Sequence, residues 1–125
     1  MRLLLDTRIF LWYLADSRRL AARTRGEIAR AERVFVSAAS IWEATIKIGI
    51  GKLVAAPDDL VAAIAASGFV ELPVTAAHAA RVAALPDHHR DPFDRLLIAQ
   101  ATHEPLHLLT ADAALRRYSE LVLPM

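Results

Sequence analysis

Short apolar runs alternate along this chain with longer segments in which apolar residues recur at helical spacing. Five such runs, at residues 2–5, 34–37, 69–74, 106–110 and 120–124, are predicted strands. Several of them are apolar without alternation, which is typical of strands buried on both faces. Strands that alternate with helices in this way predict an α/β fold, in which helices cover a central, mostly parallel sheet of four to five strands.

The segments between the strands have the spacing of amphipathic helices. We predict helices over residues 17–33, 40–50, 57–67 and 91–103. Gly49 and Gly51 close the second of these helices and Gly68 closes the third, because glycine readily adopts the left-handed conformation found at helix ends. No repeat, low-complexity tract or linker interrupts the pattern, so we expect one domain over residues 1–125.

The composition agrees with one folded domain. A chain of 125 residues is long enough for one core and too short for two ordinary ones. The apolar fraction is 55%, and much of it is alanine, which favours helices over disorder. The formal net charge of +1 does not by itself indicate a nucleic-acid-binding protein, although it leaves room for a local basic face.

Cysteine is absent, which excludes a disulfide framework and a thiolate metal site and agrees with a reducing cytosol. The apolar start of the chain is interrupted by Asp6 and Arg8, so it indicates a buried strand rather than a secretory signal. No stretch approaches the roughly 20 uninterrupted apolar residues of a membrane span. We therefore expect a soluble, cytoplasmic protein with no membrane association.

Four acidic residues fall where a parallel sheet places its ligand crevice, beyond the carboxyl ends of the strands. Asp6 follows the first strand, and Asp112 follows the strand at 106–110. Glu43 lies in the helix opened by Ser37 or Ser40, directly after the second strand. Asp94 lies in the first turn of the helix at 91–103, whose N-terminus points towards the same edge of the sheet.

Each of these acids also has a purely structural interpretation. Asp6 could cap a helix that begins near Thr7, and Asp112 could cap the segment "AALRRY". Glu43 fits a capping box with Ser40, because the motif S-x-x-E pairs a hydroxyl at the helix start with a carboxylate three residues later. Taken singly, none of these acids is sufficient evidence of a catalytic or metal-binding role.

The stretch "HRDPFDRLLIAQATHEP" contains two acids that need separate accounts. Asp91 is explained as a helix N-cap, since Pro92 follows it at the first helical position. Asp94 could reach back to the backbone of Asp91, but a second structural carboxylate in the same turn is less easily explained. We interpret Asp91 as the cap and Asp94 as a member of the acidic site.

Four carboxylates in one crevice repel each other unless a cation lies among them, and hard divalent ions such as Mg²⁺ are held by such oxygen clusters. A metal bound in this way activates water and polarises phosphoryl oxygens, so phosphodiester hydrolysis is the natural reaction. The chain contains no phosphate-binding loop, dinucleotide fingerprint, nucleophile elbow or H-E-x-x-H motif. Its five histidines show no zinc-ligand spacing, and we interpret His88 and His89 as loop or surface residues.

Four segments together resemble the PIN-domain toxins of the VapC type. They are "LLLDT", "VSAASIWEATIKIGIGKL", "HRDPFDRLLIAQA" and "LLTAD", in this order and over nearly the whole chain. The resemblance implies a single PIN domain of three layers, α/β/α, and an Mg²⁺- or Mn²⁺-dependent endoribonuclease that acts on structured RNA such as tRNA or rRNA. It also implies a homodimer and inhibition by a VapB-type antitoxin in a type II toxin-antitoxin pair.

Carried over by position, the acidic residues of this family fall on Asp6, Glu43, Asp94 and Asp112, which are the expected catalytic residues and metal ligands. Thr110 is then expected to orient a metal-bound water or a carboxylate. The chain departs from the pattern at Arg8, where relatives with this opening often have histidine, so the role of this position in contacting RNA is open.

Several other residues have two interpretations each. Arg95, beside Asp94, is the basic residue we most expect to contact RNA, together with Arg8, whereas other basic residues are expected to be solvated. Trp12 and Trp42 are expected in the core or in an interface, with a groove for an antitoxin helix as the alternative.

Two other functions are compatible with an α/β fold that carries acidic residues at strand ends. One is a catalytically inactive PIN-like scaffold or RNA-binding module, against which the retention of four acids argues. The other is a receiver-like signalling domain, which needs an adjacent acidic pair after the first strand and a lysine after a late strand. The chain has neither.

Overall fold

Five strands form one parallel sheet in the computed structural model, which describes residues 1–125. The strands are β1 (Arg2–Leu5), β2 (Arg33–Ser37), β3 (Val70–Leu72), β4 (His107–Thr110) and β5 (Val122–Pro124). Their order across the sheet is β3-β2-β1-β4-β5, and every neighbouring pair is parallel. The predicted α/β class is confirmed, with five strands in the sheet.

Six α-helices connect the strands. They are α1 (Thr7–Leu14), α2 (Ala22–Arg30), α3 (Ala38–Gly49), α4 (Pro57–Ala66), α5 (Ala76–Arg81) and α6 (Pro92–His103). Two short 3-10 helices, Val82–Ala84 and Ala113–Arg117, follow α5 and β4. None of the helices combines the length and the apolar character that crossing a bilayer requires.

The central strand β1 shows how the apolar pattern produces three layers. Successive side chains of a strand point to opposite faces, so Leu3 and Leu5 lie on one face and Leu4 lies on the other. Leu3 and Leu5 pack in a core with α1, α2 and α4, whereas Leu4 packs with α6 and the second 3-10 helix. All three leucines are buried, which explains why β1 is an uninterrupted apolar run.

Helix α2 is shorter than the sequence predicts. The predicted helix at 17–33 is found only over Ala22–Arg30. The Ser17 hydroxyl accepts a hydrogen bond from the Arg19 N–H at 3.1 Å, and this local bond holds a turn where the helix was expected to begin. Arg33, at the other end, already belongs to β2. Helical spacing of charges alone did not mark these boundaries.

The end of α4 is fixed by a Schellman motif. Gly68 has a φ of +78°, and its N–H donates to the carbonyl of Ala65 at 2.9 Å. The Phe69 N–H donates to the carbonyl of Ile64 at 2.9 Å, and both side chains are buried in the same core. Gly68 therefore ends the helix as predicted, and it also directs Phe69 into the core.

A buried histidine connects α5 to α6. His78 Nδ1 accepts the N–H of Thr75, and the Thr75 hydroxyl accepts the N–H of His78, so this histidine completes a capping box. Because Nδ1 is an acceptor, the proton is on Nε2, which donates to Glu104 Oε2 at 2.6 Å. This bond ties the start of α5 to the end of α6.

The Schellman motif predicts that one substitution has opposite effects at two exposed glycines. Gly68→Ala places a Cβ at a positive φ and should lower the free energy of unfolding by about 1 kcal/mol. Gly49→Ala lies in the last turn of α3, with no atom close to the new Cβ, and should raise it by about 0.5 kcal/mol. Urea unfolding of both variants measures the difference. Equal effects of the two substitutions would contradict the assigned helix ends.

Candidate metal centre

The acidic residues lie at the topological switch point of the sheet. The neighbours of β1 are β2 on one side and β4 on the other, and the order of the strands reverses its direction between β1 and β4. At such a point a crevice opens beyond the carboxyl ends of the two strands. Asp6 comes directly after β1, and Thr110 is the last residue of β4. Helices α3 and α6 contribute Glu43 and Asp94 to the same end of the sheet.

Asp6 is buried, and three donors satisfy its carboxylate. Oδ1 accepts the N–H of Ile9 at 2.7 Å, which makes Asp6 the N-cap of α1. Oδ2 accepts the hydroxyl of Thr110 at 2.7 Å and the N–H of Ala111 at 2.9 Å. The capping role considered for Asp6 is therefore real, and the same carboxylate also lines the crevice.

Glu43 does not form the capping box that was considered for it. The N-cap of α3 is Ser37, whose hydroxyl accepts the N–H of Ala39 at 3.0 Å. Ser40 and Glu43 are turned towards α1 instead: Thr7 Oγ1 lies 2.6 Å from Glu43 Oε1 and 3.0 Å from Ser40 Oγ. The single proton of Thr7 is best given to the shorter contact, so Thr7 donates to Glu43 and accepts from Ser40. This chain of hydroxyls holds the Glu43 carboxylate against the crevice.

Asp91 and Asp94 lie at the first turn of α6, but their side chains have different partners. Asp91 is the N-cap of α6, because its Oδ1 accepts the N–H groups of Phe93 at 2.8 Å and Asp94 at 3.2 Å. The Asp94 side chain makes no bond to the Asp91 backbone. It points into the crevice, where Oδ2 lies 2.9 Å from Nε2 of His89.

Burial makes the charged form of Asp94 unfavourable. Its pKa rises from the usual 3.8 to about 6, chiefly because the carboxyl is withdrawn from water. The hydrogen bond from His89 lowers the pKa, whereas the negative charges of Asp91 and Asp6 raise it further. At neutral pH this carboxylate is ionised at a cost, which a cation in the crevice would offset.

Asp112 follows β4 and is held next to Thr110. Its Oδ1 caps the second 3-10 helix through the N–H of Ala114, and its own N–H donates to the Thr110 hydroxyl at 3.0 Å. Thr110 thus orients both Asp6 and the backbone of Asp112. The other carboxylate oxygen of Asp112 lies 3.7 Å from Nε2 of His89. His89 therefore lies beside both Asp94 and Asp112.

The crevice has the donors and the charge that suit a divalent cation. It has a volume of about 280 Å³ and no apolar residue in its lining, which consists of Asp6, Thr7, Arg8, Glu43, Lys47, Asp91 and Asp94. Three of the four predicted acids, Asp6, Glu43 and Asp94, line the crevice together with Asp91, whereas Asp112 is outside its lining. The formal charges of these four carboxylates exceed those of Arg8 and Lys47 by two, which equals the charge of one divalent ion. Oxygen donors in excess negative charge are the usual ligands of Mg²⁺ and Mn²⁺.

The basic residues near the crevice differ in whether their side chains already have partners within the protein. Lys47 Nζ lies 3.7 Å from Glu43 Oε2, and Arg8 is exposed at the edge with its guanidinium 6.0 Å from the centre of the Trp12 ring. Arg95 is otherwise engaged, because its NH1 donates to the carbonyl of Pro86 at 2.9 Å and to the hydroxyl of Tyr118 at 3.1 Å. The structure therefore shows Arg95 holding the loop before α6, and the RNA contact expected of this residue stays a prediction.

Two residues of the site escaped sequence reasoning. The sequence pattern indicates Thr7 only as the start of a helix. Its position directly after Asp6 is the signal that could have identified its hydroxyl as part of the site. His89 was interpreted as a loop or surface residue; it is in a loop and partly exposed, but its ring faces Asp94 and Asp112. No local sequence pattern predicts this orientation, because it depends on how the irregular segment before Asp91 packs against α6.

Fold and site together define an α/β protein with a carboxylate centre at the switch point of a parallel sheet. The sequence matches the family model of the PIN domain over residues 3–121. The chain therefore belongs to the PIN domain family, which confirms the resemblance at the level of the domain. A comparison with curated proteins found no match.

Solved structures of toxin-antitoxin complexes share the fold at low sequence identity. A chain of VapBC2 from Rickettsia felis, bound to a DNA fragment from its promoter, has a TM-score of 0.71 at 15% identity, over 100% of this chain and 98% of that one. FitAcB from Neisseria gonorrhoeae has a TM-score of 0.61 at 20% identity, over 90% and 88% of the two chains. A toxin-antitoxin complex from Klebsiella pneumoniae has a TM-score of 0.59 at 21% identity, over 87% and 85%.

The two acids of α6 should respond oppositely to substitution in protein freed of metal by EDTA. Asp91→Ala removes the N-cap and should lower the free energy of unfolding by about 1 kcal/mol. Asp94→Asn removes a charge that burial disfavours and should raise it at pH 7 by about 1 kcal/mol, even after the loss of a favourable helix-dipole interaction. Urea unfolding measures both changes. A loss of stability in both variants would make Asp94 a structural residue.

The stabilisation by Asp94→Asn should depend on pH in a defined direction. The folded wild-type protein holds the Asp94 proton up to about pH 6, whereas the unfolded chain releases it near 3.8. The wild type therefore loses stability relative to the variant as the pH rises through this window, and the difference is constant above it. Unfolding curves at intervals from pH 4 to pH 7.5 test this. A difference that does not vary with pH would show that Asp94 is not destabilised by burial.

Proposed function

We propose that the protein is a metal-dependent endoribonuclease and the toxin of a type II toxin-antitoxin pair, restrained by a VapB-type antitoxin. The observation that carries the proposal is the polar crevice at the switch point, in which Asp6, Glu43 and Asp94 converge with Asp112 close by. The PIN domain family and the resemblance to VapC-type toxins supply the substrate class, structured RNA such as tRNA or rRNA.

Asp6, Glu43, Asp94 and Asp112 would hold Mg²⁺ or Mn²⁺. When bound, such an ion polarises a phosphoryl oxygen and lowers the pKa of a coordinated water into the range of a nucleophile. The protein's contribution is to fix these carboxylates before substrate arrives: Thr110 orients Asp6, and Thr7 orients Glu43. Carboxylates held in this way need no reorganisation when the metal and the phosphate bind.

Basic residues at the edge of the crevice suit an RNA backbone. Arg8 and Lys47 line it, and Lys52 and Arg90 line the adjoining surface groove beyond Glu43. Phosphates on either side of the scissile bond would contact these side chains, which position the strand without reading its sequence. Salt should therefore weaken substrate binding steeply.

An exposed apolar surface on α3 supports the antitoxin as a partner. Trp42, Ile46 and Ile50, the α3 patch, are 62%, 42% and 62% exposed, and the Trp42 ring packs edge-on against Phe93 at 5.1 Å. Beside it lies an apolar cleft of about 380 Å³. Such a groove fits the apolar face of an amphipathic helix, which is the alternative considered for the tryptophans. Trp12, in contrast, packs partly buried against the core.

Removal of metal or of one carboxylate should abolish RNA cleavage. Purified protein should cut a structured RNA such as tRNA or rRNA with Mg²⁺ or Mn²⁺ and stop in EDTA. Glu43→Gln keeps the shape of the side chain and its bond to Thr7 but removes a ligand charge, so cleavage should fall by about 10²-fold or more. Glu71→Gln, on the exposed edge strand β3, is the matched control. Cleavage that survives both EDTA and Glu43→Gln would exclude the proposed mechanism, and binding of RNA without cleavage would favour the inactive scaffold.

The toxin role predicts growth arrest that a neighbouring gene relieves. Expression of the wild type should stop growth, whereas expression of Asp94→Asn should not. Co-expression of the wild type with a small protein encoded by the adjacent gene should restore growth. Trp42→Asp should weaken co-purification of that partner, whereas Val61→Asp, on the exposed face of α4, should not. A harmless wild type that co-purifies with no partner would contradict the toxin role.

Light scattering of the protein alone measures whether it forms the homodimer that the resemblance implies.

A further inference from the structure

The loop before α6 carries a histidine that faces two of the acidic residues. Nε2 of His89 lies 2.9 Å from Asp94 Oδ2 and 3.7 Å from Asp112 Oδ2. One ligand atom from each of these three residues lies within 4.8 Å of the others, and all three side chains are partly buried. Asp94 thus belongs to two groups of potential ligands. One consists of the carboxylates of Asp6, Glu43 and Asp94 in the crevice, and the other consists of Asp94, Asp112 and the imidazole of His89.

The backbone of this loop is anchored by contacts that do not involve the His89 ring. Arg95 NH1 donates to the carbonyls of Pro86 and His89, at 2.9 Å and 3.4 Å. The hydroxyl of Tyr118 accepts the N–H of His88 at 3.2 Å and lies 3.5 Å from the carbonyl of His89. The backbone that carries His89 is therefore held by α6 and by Tyr118, which leaves the ring with no hydrogen bond other than the one to Asp94.

The adjacent histidine has the opposite orientation. The His88 ring is exposed and packs edge-on against Tyr118, with the ring centres 5.1 Å apart. It forms no part of the acidic group. Two neighbouring histidines with the same chemistry, one facing the carboxylates and one facing an aromatic ring, give a matched pair for experiment.

We infer that His89 is a metal ligand, which donates an imidazole nitrogen to a divalent cation held between Asp94 and Asp112 and makes this position selective for Mn²⁺ over Mg²⁺. The inference deepens the proposed function, since it rests on a metal at the same carboxylates. Mg²⁺ is held by oxygen ligands and keeps its waters. Mn²⁺ also favours carboxylates and water, but as a first-row transition ion it gains more affinity from an imidazole nitrogen than Mg²⁺ does. The nitrogen therefore adds to the affinity for Mn²⁺ and adds little for Mg²⁺.

Metal titration of EDTA-treated and desalted protein tests the selectivity. His89→Gln should weaken Mn²⁺ binding by about tenfold or more and change Mg²⁺ binding by less than about threefold. His88→Gln should leave both affinities as in the wild type. If His89 instead competes with the metal for Asp94, His89→Gln binds both ions more tightly, and this result overturns the inference.

Pulsed electron paramagnetic resonance of the Mn²⁺-loaded protein tests the bond directly. Modulation of the Mn²⁺ echo by a directly bound ¹⁴N should be present in the wild type and in His88→Gln, and absent in His89→Gln. Mn²⁺ that binds the wild type without nitrogen coupling overturns the role of His89 and leaves the proposed function intact. Failure of Mn²⁺ and Mg²⁺ to bind the wild type at all overturns both. Circular dichroism and thermal melts confirm that each variant is folded.

Discussion

The hydrogen bonds to the buried carboxylate of Asp6 hold the two central strands and the first helix in one arrangement at the switch point. Asp6 receives one donor from α1 and two from the end of β4, so its two oxygens join elements that are more than 100 residues apart in sequence. A buried charge is tolerated only where such donors replace water. Because Thr110 also accepts the N–H of Asp112, the position of the fourth acid follows from the same contacts.

Capping a helix and binding a metal are compatible roles for one carboxylate, because it has two oxygens with two lone pairs each. Asp6 and Asp112 each cap a helix with one oxygen. Three donors leave one lone pair of the Asp6 carboxylate on Oδ1, and the second oxygen of Asp112 accepts no hydrogen bond, its contact with His89 Nε2 being 3.7 Å. Substitutions at these residues therefore affect stability and chemistry together. Asp94 and Glu43 cap nothing, and burial opposes the ionisation of Asp94. A carboxylate whose ionisation is opposed by burial is expected to lower stability at neutral pH, and groups of this kind are commonly found at functional sites.

The sequence was sufficient for the features that repeat at short range. Apolar runs located all five strands, and the acids that follow strands were correctly placed at one edge of the sheet. The capping box considered as a structural alternative for Glu43 is not formed, because S-x-x-E spacing describes a capping box only when the serine is the N-cap, and here Ser37 takes that position. The orientation of His89 and the engagement of Arg95 depend on contacts across the irregular segment before α6. Such contacts join residues whose proximity no periodic pattern encodes.

The distribution of charge around the crevice implies an order of events under the proposed function. Its lining is negative, so a phosphodiester that approaches carboxylates without a bound cation is repelled. The basic side chains of Arg8, Lys47, Lys52 and Arg90 lie at the edge and in the adjoining groove, where they attract the flanking phosphates. Attraction at the edge and repulsion at the centre would hold an RNA strand near the site without admitting the scissile phosphate. Under the proposed function the strand would then be cut only where the charge of the carboxylates is already balanced, which would make metal occupancy a condition of productive substrate binding and not only of the chemical step.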